Sequence, residues 1–214
     1  MNSAWCTKEA AVLTIDCQVD ICRAAGRFAG PISAQLADGV ALNAIARVQR
    51  AARNSGIPLL HVRHTLDEYA GPEAPRLLRG MQRAGGCRRG SPGMEIVSEV
   101  APKAAELVID KERISAFAGT TLDRWLRTNR VRTLLVTGVS TTYAIEGTAR
   151  DAVDRGYRVL VSPETSVCIT ESDHHRSLRG PLTMLATVAS VDNVTAWLGG
   201  EVPGPTVWTG AEHG

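Results

Sequence analysis

Short apolar runs alternate with amphipathic helical patterns along most of the chain, and this alternation restricts the possible folds more than any other feature. Residues 10–15 form an apolar run typical of a buried strand, and residues 35–54 carry apolar side chains at steps of three to four. Similar pairs recur toward residue 198. Strands separated by helices form parallel sheets that are covered on both faces. The pattern predicts a three-layer, Rossmann-like α/β domain with a parallel sheet of about six strands.

Composition and net charge give no reason to expect a nucleic-acid or membrane partner. The 214 residues are 44% hydrophobic and 21% charged, with a net charge of +2. So small a charge gives no reason to expect a nucleic-acid partner. No run approaches the roughly 18 apolar residues of a membrane span, and the N-terminus lacks a signal-peptide pattern, so we expect a cytoplasmic location and no membrane partner. We expect residues 1–214 to form a single domain, with its core at about 10–198 and a Gly/Pro-rich tail at 199–214.

Polar side chains follow three of the predicted strands. Asp16 ends the first strand, Lys111 follows the third, and Ser140 and Thr141 follow the fourth. Ligands of open parallel sheets bind at the carboxyl ends of the strands. An Asp and a Lys that meet there can move a proton and stabilise negative charge. Each residue alone is weak support, because an Asp after a strand is commonly a cap and a Lys there is commonly solvated.

Residues 138–152 follow an apolar strand and begin a helix, so they form a strand–turn–helix corner. Ala144 falls in the first turn of that helix. Free N–H groups and the helix dipole favour an anion at this place, and a cysteine there would have a depressed pKa. The corner is thus suited to a nucleophile, yet it carries an alanine.

Four segments, in order, resemble the isochorismatase-like cysteine hydrolases, and the resemblance covers roughly residues 10–197. The family patterns are I-D-M-Q-x-D, R-G-S/T-P-G-x-x-I/L, D-K-x-R-x-S-A-F and G-V-x-T-x-x-C-V-E-x-T-A-R-D-A. The matching segments are residues 15–20, 89–96, 110–117 and 138–152.

The resemblance implies a fold, a site and a reaction. The strand order would be 3-2-1-4-5-6. Asp16 would be the base, Lys111 its partner and residue 144 the nucleophile. The corner would hold a cis peptide between Val139 and Ser140, with an oxyanion bound by N–H groups near it. We assign that part of the site to four residues: Val139, Ser140, Thr141 and Tyr143.

In reaction terms, the resemblance implies hydrolysis of a C–N bond in a small amide, ureido or lactam substrate through a cysteine thioester. It also implies a homodimer or homotetramer. No nucleotide-binding pattern is present and no Asp-x-His metal pair follows the second strand, so we expect no cofactor and no metal.

Three explanations compete for Ala144. Alanine has replaced a natural cysteine, which leaves an inactivated variant. Alternatively, the protein is a vinyl-ether hydrolase of the isochorismatase type, in which Asp16 is a general acid and no nucleophile is needed. The third explanation is an inactive binding homologue. The retained Asp16 and Lys111 argue against the third, and the Ser140-Thr141-Thr142 sequence, where isochorismatases carry Tyr-Ala-His, favours the first over the second.

Further residues are candidates for substrate binding and for contacts between subunits. Residues 63–93 are rich in glycine and proline, and such long loops often carry function. We expect this loop to line the pocket, with Arg63 or Arg88 binding a substrate carboxylate. Trp197, Val207 and Trp208 are candidates for contact with a second subunit. The substrate-binding assignment comprises Gln18, Arg63, Arg88, Phe117 and Tyr143.

Overall fold

A computed structural model describes residues 5–66, 75–202 and 204–207. Its six strands are all parallel and lie in the order β3-β2-β1-β4-β5-β6. This confirms the predicted single α/β domain and its strand order. The strands are β1 (Ala10–Ile15), β2 (Leu59–His64), β3 (Leu107–Lys111), β4 (Thr133–Val139), β5 (Arg158–Val167) and β6 (Thr187–Val188).

Nine α-helices lie in the described part of the chain. They are α1 (Val19–Cys22), α2 (Pro31–Gln35), α3 (Val40–Asn54), α4 (Arg76–Ala84), α5 (Leu122–Thr128), α6 (Glu146–Asp154), α7 (Glu171–Arg179), α8 (Pro181–Leu185) and α9 (Val191–Leu198). None of them is long and apolar enough to cross a membrane.

Helices cover both faces of the sheet. On one face α3 and α9 pack against β1, β2, β4 and β5, and on the other α5, α6, α7 and α8 close a second core. Every residue of β1 and β4 is buried. A strand buried on both faces reads as a continuous apolar run, which is why the central strands were visible in the sequence.

Two helix boundaries differ from the sequence prediction. The helix expected at residues 35–54 is divided, because Gly39 adopts a left-handed conformation with φ 74° between α2 and α3. Residues 63–92 are not all loop, since α4 forms within them and ends at Gly85, again left-handed with φ 71°. Glycine adopts this conformation without the penalty that a Cβ atom brings, so it ends helices.

Trp197 belongs to the core and is not available to a second subunit. It is 1% exposed, its indole N–H donates to the Trp5 carbonyl at 2.9 Å, and the two rings lie edge to face. Val207 is exposed, and Trp208 lies outside the described residues. The proposal that the tail contacts a neighbouring subunit therefore depends on Val207 and Trp208 alone.

Candidate active site

The end of β1 places Asp16 in a constrained backbone conformation. Asp16 has φ 57°, and its N–H donates to the Val62 carbonyl of β2 at 2.8 Å. Asp is among the few residues that tolerate this left-handed region. The segment after it is held in place because Val97 donates to the Cys17 carbonyl at 2.9 Å. The sheet edge therefore fixes where the carboxyl group stands.

Lys111, the last residue of β3, pairs with Asp16 from two strands away. Its Nζ lies 2.8 Å from Asp16 Oδ2 and donates to the Arg113 carbonyl at 3.0 Å. Both side chains are buried, at 1% exposure for Lys111 and 10% for Asp16. Asp16 Oδ1 has no hydrogen-bond partner among the described residues. One carboxyl oxygen is thus fixed by Lys111 and the other remains for a ligand.

Burial raises the pKa of Asp16, and the attraction and hydrogen bond of Lys111 oppose that rise. Desolvation disfavours the charged carboxylate, whereas the nearby ammonium favours it. The raised pKa brings Asp16 closer to the range in which it can both take up and release a proton, as a general acid or base requires.

The corner after β4 is the second part of the site. Gly138 has φ 120°, the Val139–Ser140 peptide is cis, and Thr141–Ile145 form a π-helical turn that leads into α6. The first N–H to close a ring is that of Ile145, which donates to the Ser140 carbonyl at 3.1 Å. The N–H groups of residues 141–144 precede that ring. Such a helix N-terminus can stabilise an oxyanion.

The Thr141 side chain ties the corner to β5 and α7. Its hydroxyl oxygen lies 3.0 Å from the Val167 carbonyl and 2.8 Å from His174 Nδ1 on α7. Burial, and then the neighbouring His175, lower the pKa of His174 to about 4, so the ring is neutral near pH 7. This agrees with a packing role for His174 and ties the turn to β5 and α7.

One pocket joins the two parts of the site. It encloses about 710 Å³ of space, including its open mouth, and Asp16, Lys111, Val139, Ser140, Tyr143 and Ala144 all line it. Six of the sequence-predicted site residues are therefore brought together, and Ala144 is one of the residues of the pocket wall.

Four of the five predicted substrate-binding residues do not line this pocket. Phe117 packs in the core, where it stacks on Tyr157 at a centroid distance of 5.8 Å. Arg63 points its Nε at Asp110 Oδ1, 2.9 Å away, and Arg88 is exposed on the surface. Neither guanidinium lines the pocket, so the structure gives no support to the expectation that Arg63 or Arg88 binds a substrate carboxylate.

Gln18, the fourth, uses its amide to hold the backbone of His64. Gln18 Nε2 donates to the His64 carbonyl at 2.9 Å, and Oε1 accepts from the His64 N–H at 2.6 Å. A buried amide with both ends occupied has little left for a substrate. Its role is to position the end of β2.

His64 is a polar residue of the pocket that the sequence did not lead us to assign. It is 3% exposed, it lines the pocket beside Lys111, and both ring nitrogens lack a hydrogen-bond partner in the described part of the chain. Burial, and then the Lys111 ammonium, lower its pKa to about 3. The ring is therefore neutral at pH 7, with one donor and one acceptor. The sequence feature that could have identified His64 is its place at the end of a strand, as for Asp16.

Loss of the buried Asp16–Lys111 pair should lower the free energy of unfolding by an amount that depends on pH. We expect Lys111→Met to lower the free energy of unfolding by about 3 kcal/mol at pH 8, because an unpaired buried carboxylate remains. The loss should be smaller at pH 5, where Asp16 can take up a proton. Urea unfolding at the two pH values measures this. Lys103→Met, at an exposed position, is the matched control, and equal losses at both pH values would contradict the expectation.

The neutral state of His64 should appear in the pH dependence of stability. Its folded pKa of about 3 lies below the ordinary 6.5, so the unfolded chain takes up the proton first. This contribution is complete above pH 6.5 and is lost as the pH falls toward 3. We expect His64→Gln to reduce the slope of unfolding free energy against pH by up to about 1.4 kcal/mol per unit near pH 5. Urea unfolding at half-unit steps measures the slope, and unchanged slopes would refute the assignment.

The sheet order, together with a buried Asp–Lys pair at its carboxyl edge, defines an α/β fold of the isochorismatase-like hydrolase type. The isochorismatase domain family matches residues 10–193. The chain belongs to this family.

Relatives and solved structures agree with that placement. The chain is 32% identical to N-carbamoylsarcosine amidase of Arthrobacter over 56% of its own length and 47% of that protein, so the match spans about half of the relative. It is 31% identical to ureidoacrylate amidohydrolase of Methylobacterium radiotolerans, covering 75% of this chain and 68% of the other.

Two solved structures share the fold. N-carbamoylsarcosine amidase from Thermoplasma acidophilum superposes with a TM-score of 0.69 at 26% identity, covering 86% of this chain and 97% of that one. A cysteine hydrolase from Pseudomonas syringae pv. phaseolicola superposes with a TM-score of 0.80 at 22% identity, covering 92% and 95%.

Proposed function

We propose that the pocket is the active site of an amidohydrolase-type enzyme that cleaves a C–N bond in a small amide, ureido or lactam substrate, and that Ala144 occupies the place of its nucleophilic cysteine. The observation that carries the proposal is the Asp16–Lys111 pair, 2.8 Å apart and buried, in one pocket with residue 144 and the N-terminus of the π-helical turn. The amidase and amidohydrolase names of the relatives support this substrate chemistry.

With a thiol at residue 144, each group has a step to perform. Asp16 takes the thiol proton, and the thiolate attacks the substrate carbonyl carbon. The N–H groups at the start of the π-helical turn hold the resulting oxyanion. The C–N bond then breaks, and Asp16 returns the proton to the leaving nitrogen. Asp16 next activates a water molecule, which hydrolyses the thioester, while Lys111 holds the carboxyl group in place throughout.

The chain with Ala144 cannot form the thioester, because a methyl group has no lone pair. It keeps the proton-transfer pair and the pocket, so it should bind substrate without cleaving an amide. The test is to introduce the thiol with Ala144→Cys and to follow ammonia release from small primary amides. Failure of the cysteine protein to cleave any amide, ureide or lactam would overturn the proposal.

A second function is favoured by one observation. Asp16 has a pKa raised by burial, and its Oδ1 has no partner among the described residues. A protonated carboxyl group of this kind can protonate a vinyl ether, after which water completes the cleavage without a nucleophile. In that case the Ala144 protein itself would hydrolyse isochorismate, and Asp16→Asn would abolish the reaction.

A further inference from the structure

The wall of the pocket is predominantly apolar. Ten of its fifteen lining residues carry apolar or aromatic side chains other than Ala144. They come from the end of β4, from the segments after β1, β3, β4 and β5, and from α4. Among them are Phe28, Ile32, Leu77, Leu78, Met81 and Tyr143. Such a wall contributes to binding through the apolar area that it removes from water.

Part of this wall is held rigidly by hydrogen bonds beneath it. The buried carboxylate of Asp20 accepts from the N–H groups of Arg27 at 3.0 Å and Cys87 at 2.7 Å. The Asp20 carbonyl also accepts from the Phe28 N–H at 2.8 Å. Because the loop that carries Phe28 is fixed in this way, the wall exists before a ligand arrives.

The cations near the site do not serve the pocket. Lys111 is engaged with Asp16 and the Arg113 carbonyl, whereas Arg63 and Arg89 both pair with Asp110. The arginines of α4 do not line the pocket either. Residues 67–74 contain no Lys, Arg or His in their sequence. A substrate carboxylate would thus lie against apolar side chains and near Asp16, and the cation that lines the described wall, Lys111, is already paired. Burying a carboxylate without a partner of its own is costly.

His64 supplies hydrogen bonds that suit an uncharged group. Its ring is neutral, and neither nitrogen has a partner among the described residues. One nitrogen can donate and the other can accept. An amide or ureido group has the complementary donor and acceptor, so it would satisfy His64 and Asp16 Oδ1 together.

From this arrangement we infer that the pocket selects uncharged substrates with an apolar tail. The amide or ureido group meets His64 and Asp16, and a chain of several carbons packs on the side chains of α4 and of Phe28 and Ile32. The inference rests on the proposed function for the position of the amide, and it excludes substrates with a carboxylate on the tail.

Binding to the Ala144 protein tests the inference without any turnover. Calorimetry should compare butanamide, hexanamide and 6-amino-6-oxohexanoate, which is an amide of hexanamide's length that ends in a carboxylate. We expect hexanamide to bind about 15-fold more tightly than butanamide, since each of its two additional buried methylenes contributes about fourfold. The carboxylate should bind at least about 30-fold more weakly than hexanamide.

A charge-introducing variant sharpens the comparison. Met81→Arg places a cation on the partly exposed rim of the wall, so 6-amino-6-oxohexanoate should gain at least about tenfold and hexanamide should lose affinity. Met184→Arg, at a position 86% exposed and away from the pocket, should change neither. His64→Phe should weaken hexanamide at least about fivefold.

The outcomes separate this inference from the proposed reaction. Equal or tighter binding of the carboxylate, no measurable binding of any amide, or the same response to both arginine variants would overturn the inference. If the amides bind in the expected order and the Ala144→Cys protein cleaves none of them, the proposed reaction fails while the substrate preference stands. If that protein cleaves the carboxylate substrate in preference to hexanamide, the reaction stands and the preference fails.

Discussion

The Ala144→Cys protein should hydrolyse small primary amides at least about 1,000-fold faster than the chain that carries Ala144. Loss of the nucleophile in a hydrolytic triad costs about 10⁶ in kcat, and a reintroduced thiol in a preformed site should recover a substantial part of it. The added sulfur would lie within the π-helical turn that leads into α6, in the pocket that Lys111 also lines. The helix N-terminus and the ammonium both favour a thiolate.

Ammonia release in steady state measures the rate, and mass spectrometry of the intact protein detects the acyl adduct. The Ala144 chain is the matched control because it keeps the five other cysteines of the sequence, Cys6, Cys17, Cys22, Cys87 and Cys168. Adding Asp16→Asn to the cysteine protein should remove about 1,000-fold of the gain. A cysteine protein that reacts with iodoacetamide at residue 144 but forms no adduct with any amide would contradict the assigned chemistry.

Gly138→Ala should destabilise the fold by at least about 4 kcal/mol, which is much of the stability of an ordinary domain. A Cβ atom on Gly138 would lie 2.0 Å from the Ile15 carbonyl oxygen and 2.7 Å from the Ile15 nitrogen. Ile15 is the parallel neighbour of Gly138 in the centre of the sheet, so neither backbone can move away. The φ of 120° adds strain for any residue with a side chain.

Urea unfolding followed by circular dichroism measures this loss. Gly156→Ala is the control, because Gly156 also has a positive φ, of 86°, while its added Cβ would meet no heavy atom within 4 Å. That variant should lose only about 1 kcal/mol, the cost of the backbone conformation alone. Similar losses for the two variants would show that close strand contact is not what requires glycine at residue 138.

The sheet and the Asp16–Lys111 pair were predictable from the chain itself because their signals are local. Strands β1 and β4 are buried on both faces and therefore appear as unbroken apolar runs. Asp16 and Lys111 are the residues at or just after strand ends, and the carboxyl ends of parallel strands meet at one edge. The family resemblance set the strand order and assigned the roles to these positions.

Which residues line the pocket depended on the tertiary structure and could not be read from the sequence. In the register of β2 and β3, Arg63 lies opposite Asp110, and His64 lies opposite Lys111. Arg63, which the sequence suggested as a ligand for a substrate carboxylate, therefore pairs with Asp110, 47 residues away in the chain. His64 lines the pocket instead. Pairing across so long a separation leaves no periodic signal in the chain, because it depends on which residues the sheet brings side by side.

The same dependence on contacts between distant segments explains why Gln18 and Phe117 do not line the pocket. Each sits in a recognisable motif, but Gln18 turns to the backbone of His64 and Phe117 turns to Tyr157 in the core. By itself, the sequence determined the parallel sheet, the place of Asp16 and Lys111 at strand ends, and the alanine at the corner after β4. The folded chain alone decided which side chains face the ligand, since side-chain direction follows from packing between segments that are distant in sequence.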